Sequence, residues 1–187
     1  MTRQRNPALS ARLPPALAGG SIEATALPGA GGIALYLLNA DYPQWELDGD
    51  AVRALMDKPL YWVFCWAAGQ VLASRILANP QWVAGRRVLD FGAGSGVVAI
   101  AAARAGAREV VACDLDPDAL AACAENAALN GVSLELADDF AAVEGPVDLV
   151  TAADVLYDRA NLPWLDRLCE RAPAVLLGDS RVRDFSH

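Results

Sequence analysis

Val88 to Ile100 carry the feature that most restricts this chain. A short apolar run, Val88 to Phe91, enters a turn with glycine at 92, 94 and 96. It leaves as a second apolar run, Val97-Val98-Ala99-Ile100. A strand that turns on glycine into a helix is one half of a βαβ unit, and such units pack into parallel sheets. Glycine permits a tight turn and lets a ligand approach the backbone closely. The helix start behind it exposes unpaired N–H groups and about half a positive charge. The turn therefore reads as a binding loop for a nucleotide-like ligand.

The rest of the sequence agrees with that unit. The pattern predicts strands at 87–91, 109–114, 133–137, 147–152 and 174–178, and helices at 95–105, 117–129 and 160–171. Upstream it predicts a strand over Gly32 to Leu38, a short helix capped by Asp50, and a longer helix from Tyr61 to Leu77 that stops at Asn79-Pro80. Asp116-Pro117 is a helix start and Asn130-Gly131 a left-handed stop. Alternating strands and helices define an α/β, doubly wound, Rossmann-like sheet.

Spacing separates two ligand classes. The dinucleotide fingerprint G-x-G-x-x-G/A needs a small sixth residue for close helix packing. Counted from Gly92, that position is Val97. Asp90, just before the turn, would repel a pyrophosphate and suits a ligand with a cationic end. Asp114 lies 22 residues beyond Gly92 at the end of the next strand, where a carboxylate holds ribose hydroxyls. The D-x-G-x-G-x-G pattern resembles motif I of class I S-adenosylmethionine-dependent methyltransferases.

Composition excludes several chemistries. The net charge of −8, with no basic run, argues against a nucleic-acid surface and suits a cationic partner. The only histidine is His187, so triads and histidine-ligated metal sites are not expected. The four cysteines are scattered and read as reduced, buried thiols. No run of 18 apolar residues suggests a membrane span. A cytoplasmic location is expected, or a mitochondrial one if the source is eukaryotic. Residues 1–57 read as an N-terminal extension with a disordered start, and residues 58–187 as the core domain.

A longer series of residues narrows the family. Tyr61-Trp62, Trp66, Gly69-Gln70, the glycine loop, Cys113-Asp114-Leu115-Asp116-Pro117, Asp154-Val155-Leu156-Tyr157-Asp158 and Gly178-Asp179 follow one order. The series resembles the lysine methyltransferases of the electron-transfer-flavoprotein β-subunit, neighbours of the ribosomal protein L11 methyltransferases. Two positions depart from that pattern, Leu156 standing for an aromatic residue and Ala67 for a proline.

The resemblance implies S-adenosyl-L-methionine as cofactor. Asp90, Gly92 and Gly94 would surround its methionine end, Asp114 would hold the ribose, and Leu115 would lie against the adenine. Asp138, or failing it Asp139, would accept from the adenine amino group. Trp66 and Gln70 would cover the cofactor from the preceding helix. Plainer readings exist: Trp66 as core, Asp138-Asp139 as a solvated turn, and Asp154 as a cap with Tyr157 packed beside it.

Asp154-Val155-Leu156-Tyr157 lacks the proline pair that clamps planar amides and bases. A carboxylate and a phenol beside an aliphatic wall suit a flexible amine, with Asp154 orienting it and Tyr157 aligning it. The implied partner is a protein with an accessible lysine, the flavoprotein β-subunit first. The alternatives are a small-molecule amine or ribosomal-protein methyltransferase, and a cofactor-binding module without activity. The family sheet ends in an antiparallel hairpin. Only nine residues follow position 178, so the expectation is a C-terminally short sheet with an exposed fifth strand.

Overall fold

The computed structural model describes residues 4–181. A four-residue helix α1 (Pro7–Ser10) leads to a hairpin of β1 (Ile22–Ala26) and β2 (Ala34–Leu38). Helices α2 (Gly49–Asp57) and α3 (Ala67–Ala78) follow. Then come β3 (Arg87–Phe91), α4 (Val97–Arg104), β4 (Glu109–Cys113), α5 (Pro117–Leu129), β5 (Glu135–Ala137), β6 (Leu149–Ala153), α6 (Trp164–Arg171) and β7 (Val175–Gly178). The last five strands form one parallel sheet in the order β5-β4-β3-β6-β7. The chain winds outward from β3 through β4 to β5, then returns to the other side of β3 with β6. That reversal opens a crevice beyond the C-terminal ends of β3 and β6, where doubly wound sheets bind ligands.

Both sheet faces are covered, which explains the near-continuous apolar strands. Val88, Val110, Ala112 and Leu149 pack with α3, α4 and the hairpin. Leu89, Val111, Val150 and Ala152 pack on the opposite face with Leu168 of α6. Every residue of α4 from Val97 to Ala102 is buried, and its small side chains let α3 lie close against it. Val97, too large for a dinucleotide fold, finds room because α3 carries Gly69: a Cβ there would stand 3.1 Å from Val97 Cγ1.

From residue 4 the N-terminal segment packs on the core; residues 1–3, where the expected disorder begins, lie outside the described residues. Leu9, Leu17 and Ile22 are buried against Trp62 and α5, and Asn6 caps α1. The hairpin's outer edge is satisfied by α5. Asn126 accepts from Tyr36 N at 2.6 Å and donates to Ser95 O at 2.8 Å, and Asn130 bonds both backbone groups of Ala34. Asn126 thus links the hairpin to the glycine loop.

Two helix expectations also change. The 61–77 helix is interrupted: Tyr61–Val63 is a single 3-10 turn, Phe64 and Trp66 are extended, and α3 begins at Ala67. The bulky Tyr61-Trp62-Val63-Phe64 run has low helix propensity. The break buries Trp62 fully while Phe64 and Trp66 stay exposed. The cap of α2 is Asp48, accepting from Ala51 N at 2.8 Å, rather than Asp50. No described helix is long and apolar enough to cross a membrane.

Candidate active site

A cavity of about 320 Å³ fills the crevice at the strand reversal. Its floor is the glycine loop. Gly92 N and Ala93 N donate to Cys113 O at 2.9 and 3.1 Å, tying the turn to β4. Gly92 has φ +66°, and a Cβ there would lie 2.7 Å from Val155 Cγ1. Gly96 has φ +79° and faces Cys123, whose Sγ and Cα would be 3.1 and 3.3 Å from an added Cβ. Each glycine is thus required twice, by backbone conformation and by close packing.

Asp90 is 2% exposed. It accepts from Ala99 N at 3.1 Å and from Thr151 Oγ1 at 2.7 Å. Gly96 offers no side-chain cap for α4, so Asp90 serves that helix from β3. Burial pushes its carboxyl up to about 7, against the pull of those two hydrogen bonds. Asp114 accepts from Gly94 N at 2.8 Å and from Asp116 N at 3.0 Å, and burial raises its carboxyl. Cys113 is pushed up to about 11 by burial, so it lines the cavity as a neutral thiol.

Asp154 stands at the end of β6 with φ 53°, the one non-glycine residue with positive φ among the described residues. Its Oδ2 accepts from Ala68 N at 3.0 Å, and its Oδ1 from Ser180 N at 2.8 Å and Ser180 Oγ at 2.6 Å. It therefore caps α3, whose own cap residue Trp66 makes no such bond. Tyr157 is pushed up to about 12 by burial and by a hydrogen bond with Tyr61. Tyr61, Trp66 and Tyr157 form the rim, with ring centroids 5.8 Å apart for Tyr61–Trp66 and 5.3 Å for Tyr61–Tyr157.

The expected residues Trp66, Asp90, Gly92, Gly94, Asp114, Leu115, Asp154 and Tyr157 all line this cavity. Two do not. Gln70 turns outward and donates to Pro28 O at 2.7 Å, while its helix neighbour Gly69 stands in the lining. Asp138 lies outside the lining, where Asp139 and Phe140 are found instead. An aromatic wall of Phe91, Phe140 and Trp164, with centroids 4.6–5.5 Å apart, is not expected from the sequence motifs. Phe140, next to Asp139, was within reach of them. Arg181, which no motif signals, is likewise new and is the one cationic residue in the lining among the described residues.

A five-stranded parallel sheet, a glycine loop after its central strand and an acid ending the next define the class I methyltransferase fold. The chain shares that fold with a ribosomal protein L11 methylase from Lactobacillus delbrueckii subsp. bulgaricus. The TM-score is 0.51 at 32% identity, over 58% of this chain and 56% of the other. Residues 75–160 match the family model of ribosomal protein L11 methyltransferase (PrmA), so the chain carries a PrmA-like methyltransferase domain. It is 39% identical to the electron transfer flavoprotein beta subunit lysine methyltransferase of Xenopus laevis over 134 residues, 67% of this chain and 54% of that protein. It is 54% identical to the ribosomal protein L11 methyltransferase of Geobacter sulfurreducens over 77 residues, 41% of this chain and 26% of that one. The chain spans about half the length of the flavoprotein-type relatives it matches.

Proposed function

We propose that the chain transfers methyl groups from S-adenosyl-L-methionine to the side-chain amine of a protein lysine. The carrying observation is the 39% identity, over 134 residues, to lysine methyltransferases of the electron transfer flavoprotein β-subunit. That subunit is the first candidate acceptor.

The residues present fit the cofactor. A Cβ at Gly94 would meet nothing nearer than Gly92 O at 4.0 Å, so the loop lies open to a ligand. Each oxygen of Asp114 accepts one backbone N–H and keeps a lone pair for a ribose hydroxyl. Leu115, 81% exposed, offers its apolar side to the adenine, and the adenine amino group falls to Asp139 rather than Asp138. Asp90 supplies negative charge toward the cationic methionine end. Trp66 covers the cofactor at the rim; Gln70 has no part.

When bound, the cofactor would supply a methyl group made electrophilic by its sulfonium, the S–CH3 bond breaking to leave neutral S-adenosylhomocysteine. The chain's residues do the rest by positioning. An acceptor lysine must first lose a proton to solvent water, which costs about 4–5 kcal/mol at pH 7 from a reference pKa of about 10.4. A nearby carboxylate favours the charged amine, so Asp154 is no strong base. It holds α3 and the 179–181 segment in place around the acceptor. Tyr157 stays a neutral phenol and aligns the amine through its hydroxyl.

The test is incubation with radiolabelled cofactor and either purified flavoprotein β-subunit or a whole lysate. Label on that subunit is expected. Label only on free metabolites would replace the proposal with a small-molecule methyltransferase. A ribosomal protein is the second candidate acceptor, favoured by the family match over residues 75–160.

A further inference from the structure

The rim of the cleft already contains a cation. The guanidinium carbon of Arg181 lies 5.8 Å from the Tyr157 ring centroid and 6.0 Å from that of Trp66. Tyr61 bridges those two rings. Two rings, Trp66 and Tyr157, meet at that guanidinium with Tyr61 bracing both, and such a pair is a receptor for positive charge, whether guanidinium, ammonium or methylated ammonium. Arg181 is held there by its backbone. Asp179 Oδ2 accepts from Leu156 N at 3.0 Å and its Oδ1 from Arg181 N at 2.8 Å, while Ser180 is fixed on Asp154. The 179–181 segment is thus a strap, tied to the loop after β6, that delivers a cationic side chain to the rim.

We infer that Trp66 and Tyr157, braced by Tyr61, form a binding site for a cationic side chain of the acceptor, and that Arg181 occupies it in cis as a resident competitor. An incoming ammonium displaces the guanidinium and inherits its rings. The rings favour the charged amine, so the site selects the acceptor and does not activate it. Calling the occupant a methyl acceptor rests on the methyl-transfer reading; the preference of the two rings for a cation does not.

The test uses no turnover. Tetramethylammonium chloride is titrated against the full chain, with sodium chloride at matched ionic strength as the blank, and binding is read from tryptophan fluorescence and calorimetry. Arg181→Ala and the apolar Arg181→Met are expected to bind the probe about threefold to tenfold more tightly than the native chain. Arg181→Lys, which keeps a cation on the strap, should stay near native affinity. Adding Trp66→Leu to Arg181→Ala should abolish the gain. Unchanged or weaker probe binding by Arg181→Ala would overturn the inference. So would a loss of S-adenosylhomocysteine affinity in Arg181→Ala and Arg181→Met, which would make Arg181 a partner for the ligand's carboxylate. Failure of methyl transfer with the probe result intact would remove the acceptor reading and leave the cation site.

Discussion

Replacing Asp90 with Asn separates two roles that the wild-type carboxylate combines. Asp90 is 2% exposed and its carboxyl is raised from 3.8 to about 7. A raised carboxyl means that the folded chain holds its proton through a range where the unfolded chain has lost it. Stability from this group is therefore full below about pH 4, falls as pH rises, and levels off above about pH 7. At 1.36 kcal/mol per pKa unit, the ionised carboxylate costs the free protein roughly 4 kcal/mol on that plateau. An asparagine keeps Oδ1 for Ala99 N and can turn its amide toward Thr151 Oγ1, so both contacts survive without the charge. Urea unfolding of both chains from pH 5 to 9 checks this. Asp90→Asn should gain on the wild type as pH rises, by about 2–4 kcal/mol between pH 5 and 8. Cofactor binding should move oppositely. Wild-type affinity should rise toward pH 7 as the anion forms to meet a cationic ligand, whereas the variant should bind weakly at every pH. A stability difference that does not change across that range would refute the reasoning.

Other outcomes follow from the same geometry. Asn126→Ala strands Tyr36 N and Ser95 O and should cost about 2–4 kcal/mol, with faster amide exchange at both the hairpin and the glycine loop. Gly96→Ala combines φ +79° with a 3.1 Å approach to Cys123 Sγ. It should cost about 1–2 kcal/mol from backbone strain alone, seen as a lowered urea midpoint. Tyr157→Phe should fold normally and lower methyl transfer about tenfold or more through lost alignment of the amine. Because this phenol stays protonated up to about 12, the variant should leave the shape of the pH–rate profile unchanged below pH 10.

The parallel sheet was legible because its central strands are compact, mostly apolar runs closed by turn signals, and both of their faces are covered. Asp114 was legible for a local reason: it ends a strand beside a glycine loop. The hairpin was only half legible. Its burial depends on Asn126 and Asn130, about ninety residues away, acting as a neighbouring strand would. The break at Phe64–Trp66 was hidden because an apolar run fits a buried helix as well as a turn whose rings go to separate places. Gln70 shared its helix turn with the glycine that faces the loop, and sequence alone does not show which of two adjacent residues points inward.

Two helices begin at this cleft, and neither cap residue has a side chain that serves it. α4 starts at Gly96, which the turn requires, and α3 at Trp66, whose ring stands on the rim. The missing acceptors come from the strands instead: Asp90 of β3 bonds Ala99 N, and Asp154 beyond β6 bonds Ala68 N. Asp114 does the same for the glycine loop through Gly94 N. The carboxylates that give the cleft its negative charge are therefore also the groups that fasten helix starts and loop to the sheet. Backbone N–H dipoles in turn offset part of each charge. The double role means that removing one of these acids by truncation lowers binding and stability together. An isosteric amide compared across pH is what separates the charge from the brace.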